Sequence, residues 1–408
     1  MHYGRDGAAD SVATRNDENT MRILMSLTYY RPNVSGLTIY VERLSAKLVE
    51  RGHIVTVLTA QHDPALAIEQ YIDGVRVVRV PAPFTIGKAP LMPRYADTAY
   101  RLAKEHDVVH MHLPQLEASL AAAAGKQAGK PVLLTYHCDL QLPAGLINRG
   151  FDAGVYAANY MTGTLADRIV AYTQDYADHS PLLRRFPDKI NVIKPPVIQD
   201  PPTNDEVAAF EARFELGNGP VLGFASRLAT EKGIEYGIQA LPILLERFPS
   251  LQVVFAGPYK NVVGETEYRE KIERILEPYR DRWMFAGTLQ GRELASFYGA
   301  IDLLLMTSIN STESFGLVQV EAMLCGTPVV STNLPGVRQP VSMTGMGEIV
   351  SIADSASLAT GIEKVLSNPD AYFRPREEIA EIFSLDQTIT DYESLYGDLI
   401  ARKSPGKR

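Results

Sequence analysis

Residues 312–330 of the sequence read Thr-Glu-Ser-Phe-Gly-Leu-Val-Gln-Val-Glu-Ala-Met-Leu-Cys-Gly-Thr-Pro-Val-Val. This run predicts a helix that Thr312 or Ser314 caps and that ends at about Leu324. Short apolar strands alternate with amphipathic helices on both sides of it, which is typical of a parallel sheet covered on both faces. The predicted strands are Arg22–Leu27, Ile54–Thr59, Val75–Val80, Val108–His112, Val132–Tyr136, Arg168–Ala171, Val221–Ala225, Gln252–Ala256, Trp283–Ala286 and Leu303–Thr307.

The prolines within residues 192–202 divide the chain of 408 residues into two predicted domains. Clustered prolines prevent both a continuing helix and a central strand, so we interpret this segment as a linker. The predicted domains are residues 21–196 and 203–384, each a Rossmann-like, doubly wound α/β unit, and residues 1–20 are predicted to be a disordered leader. The amphipathic stretch within 385–408 is predicted to cross back to the first domain. Two facing sheets would leave a ligand-binding cleft between them.

The composition indicates a globular protein that does not have nucleic acid as its main partner. Hydrophobic residues make up 46% and charged residues 22%, and a formal net charge of -8 does not supply the basic surface that phosphate backbones require. Cys138 and Cys325 have no metal-type spacing, which favours a reduced, cytoplasmic setting. The first 20 residues contain no apolar signal segment, and no apolar run reaches the roughly 20 residues that span a bilayer.

Two carboxylates of the opening run stand eight positions apart. Because eight residues turn a helix by about 80° beyond two full turns, Glu313 and Glu321 can address one extended ligand. The amides of Phe315, Gly316 and Leu317 would point at that ligand, as the first amides of a helix point at oxygen-rich groups. The alternative interpretation makes Glu313 a capping residue and Glu321 a solvated side chain, and from the residues alone it stays open.

Two cations follow the first strand of the second predicted domain. Arg227 and Lys232 flank the start of a helix predicted at Glu231–Arg247, where the helix dipole and two fixed cations suit a diphosphate. Such a pair can stabilise the charge of a departing nucleotide without a metal ion. For either residue taken alone, an ordinary surface cation near a helix start is the other interpretation.

Residues near the predicted strand ends of the first domain complete the candidate set. Gly36 lies in a strand-to-helix loop and permits a ligand to approach the backbone closely, although the loop has no full GxGxxG pattern. His137 follows the strand Val132–Tyr136, at the edge where α/β sheets bind ligands, and a structural role is its alternative. His110 and His112 share one strand face without a third metal ligand, so strand-end packing is the prediction for both.

Together these segments resemble the retaining glycosyltransferases of GT-B architecture, a family that includes glycogen synthase relatives, sucrose-phosphate synthases and phosphatidylinositol mannosyltransferases. The resemblance covers residues 21–399, and its most specific features are the glutamate pair and the Arg–Lys element. It implies two facing Rossmann-like domains and a role for each candidate residue. By this resemblance Arg227 and Lys232 bind the donor diphosphate, Glu321 holds the ribose, Glu313, Ser314, Phe315, Gly316 and Leu317 hold the transferred sugar, His137 lies beside that sugar, Gly36 meets the distal phosphate and Leu289 meets the base.

The resemblance also implies a reaction. A hexose would pass from a nucleotide diphosphate sugar, a UDP-sugar rather than GDP-mannose, to a hydroxyl acceptor with retention and without a metal or other cofactor. A sugar, a metabolite, a polysaccharide or a lipid would serve as acceptor. The segment 140–161 would either face a lipid surface, placing the protein at the inner face of a membrane, or pack between the domains. The alternative functions are a nucleotide-sugar epimerase of the same fold and a non-catalytic sugar-binding protein.

Overall fold

The computed structural model describes residues 19–86, 89–140, 146–260, 262 and 264–403, and its first half is built on one eight-stranded sheet. The strands of this half are β1 (Arg22–Ser26), β2 (Ile54–Gln61), β3 (Glu69–Ile72), β4 (Val75–Pro81), β5 (Phe84–Ile86), β6 (Ala89–Leu91), β7 (Val108–Leu113), β8 (Val132–Tyr136), β9 (Arg168–Ala171) and β10 (Ile190–Val192). The sheet order is β10-β9-β8-β7-β1-β2-β4-β3, with every neighbouring pair parallel except β3 and β4. The strands β5 and β6 form a separate antiparallel pair.

The helices that cover this sheet in the described part of the first half are α1 (Gly36–Glu50), α2 (Tyr95–Glu105), α3 (Ala118–Gln127), α4 (Leu146–Leu165) and α5 (Gln174–His179). The second half has a six-stranded, all-parallel sheet of order β13-β12-β11-β14-β15-β16. Its strands are β11 (Val221–Ala225), β12 (Gln252–Ala256), β13 (Trp283–Gly287), β14 (Leu303–Met306), β15 (Val329–Thr332) and β16 (Gly347–Val350). Its helices are α6 (Asn204–Arg213), α7 (Ile234–Arg247), α8 (Thr266–Leu276), α9 (Gly291–Ala300), α10 (Leu317–Leu324), α11 (Gln339–Thr344), α12 (Ser355–Ser367) and α13 (Arg376–Ile382), followed by α14 (Leu385–Lys403).

The central strands of both sheets are buried on both faces. In β1 the consecutive residues Ile23, Leu24 and Met25 are all buried, with Ile23 and Met25 in one apolar cluster and Leu24 in another. Helices on both faces of a parallel sheet require such continuous apolar runs instead of an alternating pattern. The pattern of short apolar strands therefore predicted the α/β class, and the structure confirms it.

The last helix, α14, returns from the second half and packs against the first. Tyr392 and Tyr396 of α14 are buried, and the Tyr392 hydroxyl lies 2.5 Å from the Tyr40 hydroxyl of α1 and 2.9 Å from the Thr135 hydroxyl of β8. The predicted crossing of the C-terminal helix is thus confirmed. It brings the buried Tyr392 hydroxyl against those of Tyr40 and Thr135, near the carboxyl end of β8.

Two helix starts differ from the prediction, and in both cases a tertiary contact is the reason. The helix expected to begin at Glu231 begins at Ile234, after a single 3₁₀ turn at Thr230–Lys232 and Gly233 at φ +60°. The Thr307 hydroxyl donates a hydrogen bond to the Lys232 carbonyl at 2.7 Å, which ties this turn to the end of β14.

The helix of the opening run begins at Leu317 with Gly316 as its N-cap, not with a cap from Thr312 or Ser314. The Ser314 hydroxyl instead donates a hydrogen bond to the backbone carbonyl of His137, in the other half of the molecule. The hydroxyl oxygen of Thr312 is buried without a hydrogen-bond partner among the described residues.

The domain boundaries at residues 196 and 203 stay predictions, as does the leader at 1–20, of which residues 1–18 lie outside the described part of the chain. Within the described ranges, no helix is both long enough and apolar enough to cross a membrane.

Candidate functional site

The candidate site lies where the strand ends of the two halves meet. Hydrogen bonds join the halves there: the Ser314 hydroxyl donates to the His137 carbonyl, and the Tyr176 hydroxyl donates to the Ser311 carbonyl at 3.0 Å. His137 directly follows β8, and residues 311–314 follow β14. The carboxyl ends of two parallel sheets therefore face each other, which is where open α/β sheets bind ligands.

Glu313 is held between a cation and a backbone amide. Its Oε2 lies 2.5 Å from Nζ of Lys232, and its Oε1 accepts a hydrogen bond from the amide of Gly316 at 3.0 Å. Both charged side chains are mostly buried. Glu313 thus bonds the amide of Gly316, which is itself the N-cap residue, and α10 has no side-chain cap among the described residues. The amide of Gly316, one of the three predicted to face a ligand, therefore already has an acceptor. The same carboxylate neutralises Lys232 at the cleft.

Arg227 lies close to this pair. Its guanidinium pairs with the Glu231 carboxylate, but it remains 44% exposed, so the pair is weak and the cation is accessible. Burial raises the pKa of the Cys138 thiol to about 12, with the negative charge of Glu313 adding to the rise and the positive charges of Lys232 and Arg227 opposing it. The charges of Glu313, Asp139, Lys232 and Arg227 therefore all act on the Cys138 thiol.

Glu321 has its own set of partners. Its Oε1 accepts a hydrogen bond from Nη2 of Arg43 at 2.9 Å, and its Oε2 accepts one from the Tyr298 hydroxyl at 3.0 Å. Arg43 also donates to the carbonyls of Pro196 and Ile198, each at 3.3 Å. The interpretation of Glu321 as a solvated side chain is wrong, because the residue is buried against α1 and the segment that connects the two halves. Each carboxylate oxygen keeps a second lone pair for a hydroxyl group.

Three further predicted residues occupy different surroundings. Gly36 is the first residue of α1, whose N-cap Ser35 accepts a hydrogen bond from the Thr38 amide, and a Cβ on Gly36 would have no neighbour within 4 Å. Leu289 follows β13 and is buried, and Phe315 is buried in the loop that precedes α10. Among the described residues no hydrogen bond links any of the three to the Lys232–Glu313 pair.

His137 belongs to a buried group that we call the histidine cluster, made of His110, His112 and His137. Nδ1 of His112 lies 3.0 Å from Nε2 of His137, while Nδ1 of His137 is hydrogen-bonded to the Tyr172 hydroxyl. Nδ1 of His110 lies 2.8 Å from the Tyr396 hydroxyl of α14. Burial lowers the pKa of His137 to about 3 and holds those of the other two well below the usual value, so all three rings are neutral near pH 7.

The packing predicted for His110 and His112 is what the structure shows. A search of the described residues finds no group of three or more histidine, cysteine or acidic side chains that could hold a metal ion.

Sequence reasoning missed several residues that shape this site. Arg43 and Tyr298 hold Glu321, Tyr172 holds His137, and Asp175 accepts two hydrogen bonds from Arg338 across the two halves. Arg43, Tyr298 and Asp175 lie on helices, and Tyr172 follows a strand. No motif distinguishes these residues from other polar residues. The only available signal was position, because Tyr172 and Asp175 follow β9 at the same edge as His137.

Comparison with known proteins agrees with the fold. The family models described as glycosyl transferases group 1 and glycosyltransferase family 4 match residues 208–381 and 34–200. A D-inositol 3-phosphate glycosyltransferase of Xylanimonas cellulosilytica is 30% identical over 364 residues, 82% of this chain and 84% of that protein. The uncharacterized glycosyltransferase MJ1607 of Methanocaldococcus jannaschii is 25% identical over 92% of this chain and 98% of its own.

Solved structures with the same architecture include sucrose-phosphate synthase from Thermosynechococcus elongatus, with a TM-score of 0.74 at 22% identity over 94% of this chain and all of that one. Anabaena Alr3699/HepE in complex with UDP and glucose has a TM-score of 0.75 at 18% identity, covering 92% of this chain and 99% of that one. The chain therefore has the GT-B fold and belongs to the group 1 glycosyltransferases.

Proposed function

We propose that this group 1 glycosyltransferase moves a hexose from a nucleotide diphosphate sugar to a hydroxyl acceptor, with retention and without a metal ion, and that it prefers a UDP-sugar to GDP-mannose. The observation that carries the proposal is the Lys232–Glu313 ion pair at the junction of the two sheets, with the accessible guanidinium of Arg227 paired to Glu231, the residue before Lys232. Two cations beside one carboxylate suit a donor that has a charged diphosphate at one end and sugar hydroxyls at the other. Support for UDP comes from the related fold of Alr3699/HepE, whose structures contain UDP and UDP-glucose.

In this proposal each charged group has a separate task. Arg227 and Lys232 bind the diphosphate and stabilise the charge that grows on it as the sugar departs. Glu313, already neutralised by Lys232, accepts hydrogen bonds from sugar hydroxyls through its remaining lone pairs. Glu321 keeps Arg43 and Tyr298 as partners and offers its second lone pairs to the ribose.

The bond changes follow from this placement. The acceptor oxygen forms a bond to the anomeric carbon on the face that the leaving phosphate vacates, and the acceptor proton passes to that phosphate. The protein supplies fixed charges that match the charge developing in the transition state. Removal of one such preorganised donor typically lowers the rate by about 10²–10³-fold.

The acceptor and the cellular location belong to the same proposal. Relatives named for D-inositol 3-phosphate make a cyclitol phosphate the first acceptor to test, before sugars, polysaccharides and lipids. A cytoplasmic location at the inner face of a membrane draws support from α4, which carries no charged residue between 153 and 165 and exposes Tyr156, Tyr160 and Met161. Cosedimentation of the protein with anionic vesicles tests this contact, and a double Tyr156→Ser and Tyr160→Ser variant should lose it.

Calorimetric titration with UDP, GDP and ADP, with and without EDTA, tests the donor site. We expect UDP to bind selectively and independently of EDTA, and we expect Arg227→Ala and Lys232→Ala each to weaken binding by about tenfold or more, since a charged hydrogen bond contributes about 1.5–3 kcal/mol. Lys364→Ala is the matched control, because Lys364 is an exposed cation that pairs with Glu348 on the second sheet.

Two results would contradict the donor site. If no nucleotide bound, or if both variants bound as tightly as the wild type, the assignment would be wrong and a non-catalytic sugar-binding protein would become the better hypothesis. Epimerised nucleotide-sugar formed without an acceptor would instead support an epimerase.

A further inference from the structure

We propose that His112 and Tyr172 are positioning residues that lock the His137 imidazole in its Nε2–H tautomer, so that His137 serves the reaction through its backbone and not through its ring. This inference rests on the proposed function for its kinetic consequence, while its structural part stands alone. It leaves His137 beside the transferred sugar, as the resemblance implies, but assigns no sugar contact to its ring nitrogens.

Both ring nitrogens of His137 already have partners inside the protein. Nδ1 faces the Tyr172 hydroxyl and Nε2 faces Nδ1 of His112 at 3.0 Å, and all three residues are buried. The Tyr40 ring packs edge-on against the His137 ring with centroids 4.8 Å apart and stacks on the Tyr172 ring at 5.3 Å. A ring held on both edges and one face cannot turn toward a ligand without breaking these contacts.

The number of satisfied hydrogen-bonding groups favours one tautomer of His137. Burial disfavours the charged form of each imidazole, so each ring carries one proton. If the Tyr172 hydroxyl donates to Nδ1 of His137, then His137 donates from Nε2 to Nδ1 of His112, and His112 carries its proton on Nε2. In this arrangement one buried group, Nε2 of His112, has no partner among the described residues.

The reverse arrangement leaves two groups unsatisfied. His112 would donate from Nδ1 to His137, and His137 would donate from its own Nδ1 to the Tyr172 oxygen. The Tyr172 hydroxyl hydrogen would then have no acceptor among the described residues, and Nε2 of His112 would be an unpaired acceptor. Each unsatisfied buried group costs free energy, and the first arrangement leaves one such group fewer, so it is favoured.

The locked ring fixes the backbone that meets the second half of the molecule. The His137 carbonyl accepts a hydrogen bond from the buried Ser314 hydroxyl, next to Glu313. The Tyr172 ring lies edge-on to the Phe315 ring, with centroids 6.0 Å apart. Tyr172 therefore contacts both the His137 ring and the loop that leads into α10, and its loss should displace the site without removing any group that binds the nucleotide.

Long-range proton–nitrogen NMR of the full chain with ¹⁵N-labelled histidine tests the tautomer. The His137 signal is identified by its absence from His137→Gln. We expect His137 of the wild type to be an Nε2–H tautomer that keeps this form when UDP-glucose is added, and we expect Tyr172→Phe to convert it to a mixture of tautomers. Tyr396→Phe is the matched control, because that hydroxyl bonds His110 and should leave the His137 signal unchanged.

Steady-state kinetics separate positioning from a general loss of structure. We expect Tyr172→Phe to lower kcat by about tenfold while UDP affinity stays within twofold of the wild type, and Tyr396→Phe to leave kcat unchanged. An Nδ1–H tautomer in the wild type, an unchanged His137 signal in Tyr172→Phe, or a ring nitrogen that shifts on donor binding would overturn the inference. If the wild type neither bound nor turned over a nucleotide-sugar, the proposed function would fail, yet the NMR result would still decide the tautomer.

Discussion

The ion pair between Asp175 and Arg338 should control how tightly the two halves of the molecule hold together. The Asp175 carboxylate, on α5 of the first half, accepts hydrogen bonds from Nε of Arg338 at 2.9 Å and from its Nη2 at 2.5 Å. It also accepts one from the amide of Gly336 at 2.8 Å and one from the side chain of Gln339 at 3.0 Å. We predict that Arg338→Met opens this contact.

The magnitude follows from the burial of the pair. Loss of one partner costs about 3–5 kcal/mol for a fully buried pair and exposed pairs contribute less than about 1 kcal/mol. The side chains of Arg338 and Asp175 are 26% and 15% exposed, so we expect about 2 kcal/mol, between these limits. That corresponds to about a thirtyfold increase in the open population.

Hydrogen exchange of the Gly336 amide reports the opening directly, since this amide keeps its acceptor in the variant. We expect peptides that contain Gly336 to exchange about thirtyfold faster in Arg338→Met at pH 7. Arg374→Met is the control, because Arg374 bonds only to the Ala371 and Phe373 carbonyls of its own half among the described residues. An unchanged rate in Arg338→Met, or an equal increase in the control, would refute the reasoning.

The pH dependence of this contact has a definite sign. Burial raises the pKa of Asp175, but the hydrogen bonds from Arg338, Gly336 and Gln339 outweigh burial, so its pKa lies below the ordinary value. A lowered folded-state pKa contributes stability that is present above the ordinary pKa and is lost only as the pH falls through the lowered one. The measurement at pH 7 therefore samples the fully ionised pair.

Three further predictions use variants and pH. Tyr392→Phe should lower the free energy of unfolding by about 1–3 kcal/mol, because it removes two buried hydrogen bonds, whereas Tyr156→Phe on the surface should leave the thermal midpoint unchanged. The pKa values of the histidine cluster are lower in the folded state than in the unfolded state. The free energy of unfolding should therefore fall by about 1 kcal/mol for each histidine as the pH is lowered from about 7 to about 5.5. Thermal unfolding measured over this pH range checks the prediction. Gly36→Ala should preserve the melting temperature but weaken UDP-sugar binding in calorimetry, because the added Cβ would fill open space. Gly316→Ala should instead destabilise the protein, because Gly316 has φ +77° and the added Cβ would lie 2.7 Å from Nε2 of Gln319.

Part of the fold could be predicted because short apolar runs mark many of the buried parallel strands, although β15 and β16 were not predicted. The strands at Val132–Tyr136 and Val221–Ala225 have the predicted bounds, since each is a short apolar run bordered by residues that favour turns. The starts of α7 and α10 could not be predicted in the same way. Thr307 fixes the turn before α7, and His137 draws the Ser314 hydroxyl away from the start of α10, and both contacts depend on the tertiary fold.

In the candidate site, too, residues within motifs could be predicted, whereas residues that depend on tertiary contacts could not. The pairing of Lys232 with Glu313 brings together two residues that the motifs singled out, while their role in binding stays a prediction. The partners of Glu321 could not be predicted from the sequence. Nothing distinguishes Arg43 from Lys47, the other cation on α1, and Arg43 reaches the carboxylate only when the two halves are packed together. Residues that act through another side chain, such as Tyr172, have no motif of their own.

The anomeric form of the free hexose that forms when water takes the place of the acceptor tests the central claim most directly. Proton NMR follows turnover of the nucleotide-sugar that calorimetry selects, in the presence of EDTA and before mutarotation. We predict that the α-anomer of the hexose appears first when the donor is a UDP-α-hexose, at a rate that EDTA does not change. We also predict that Lys232→Ala lowers this rate by about 10²–10³-fold. The β-anomer appearing first, or loss of turnover in EDTA, would contradict it.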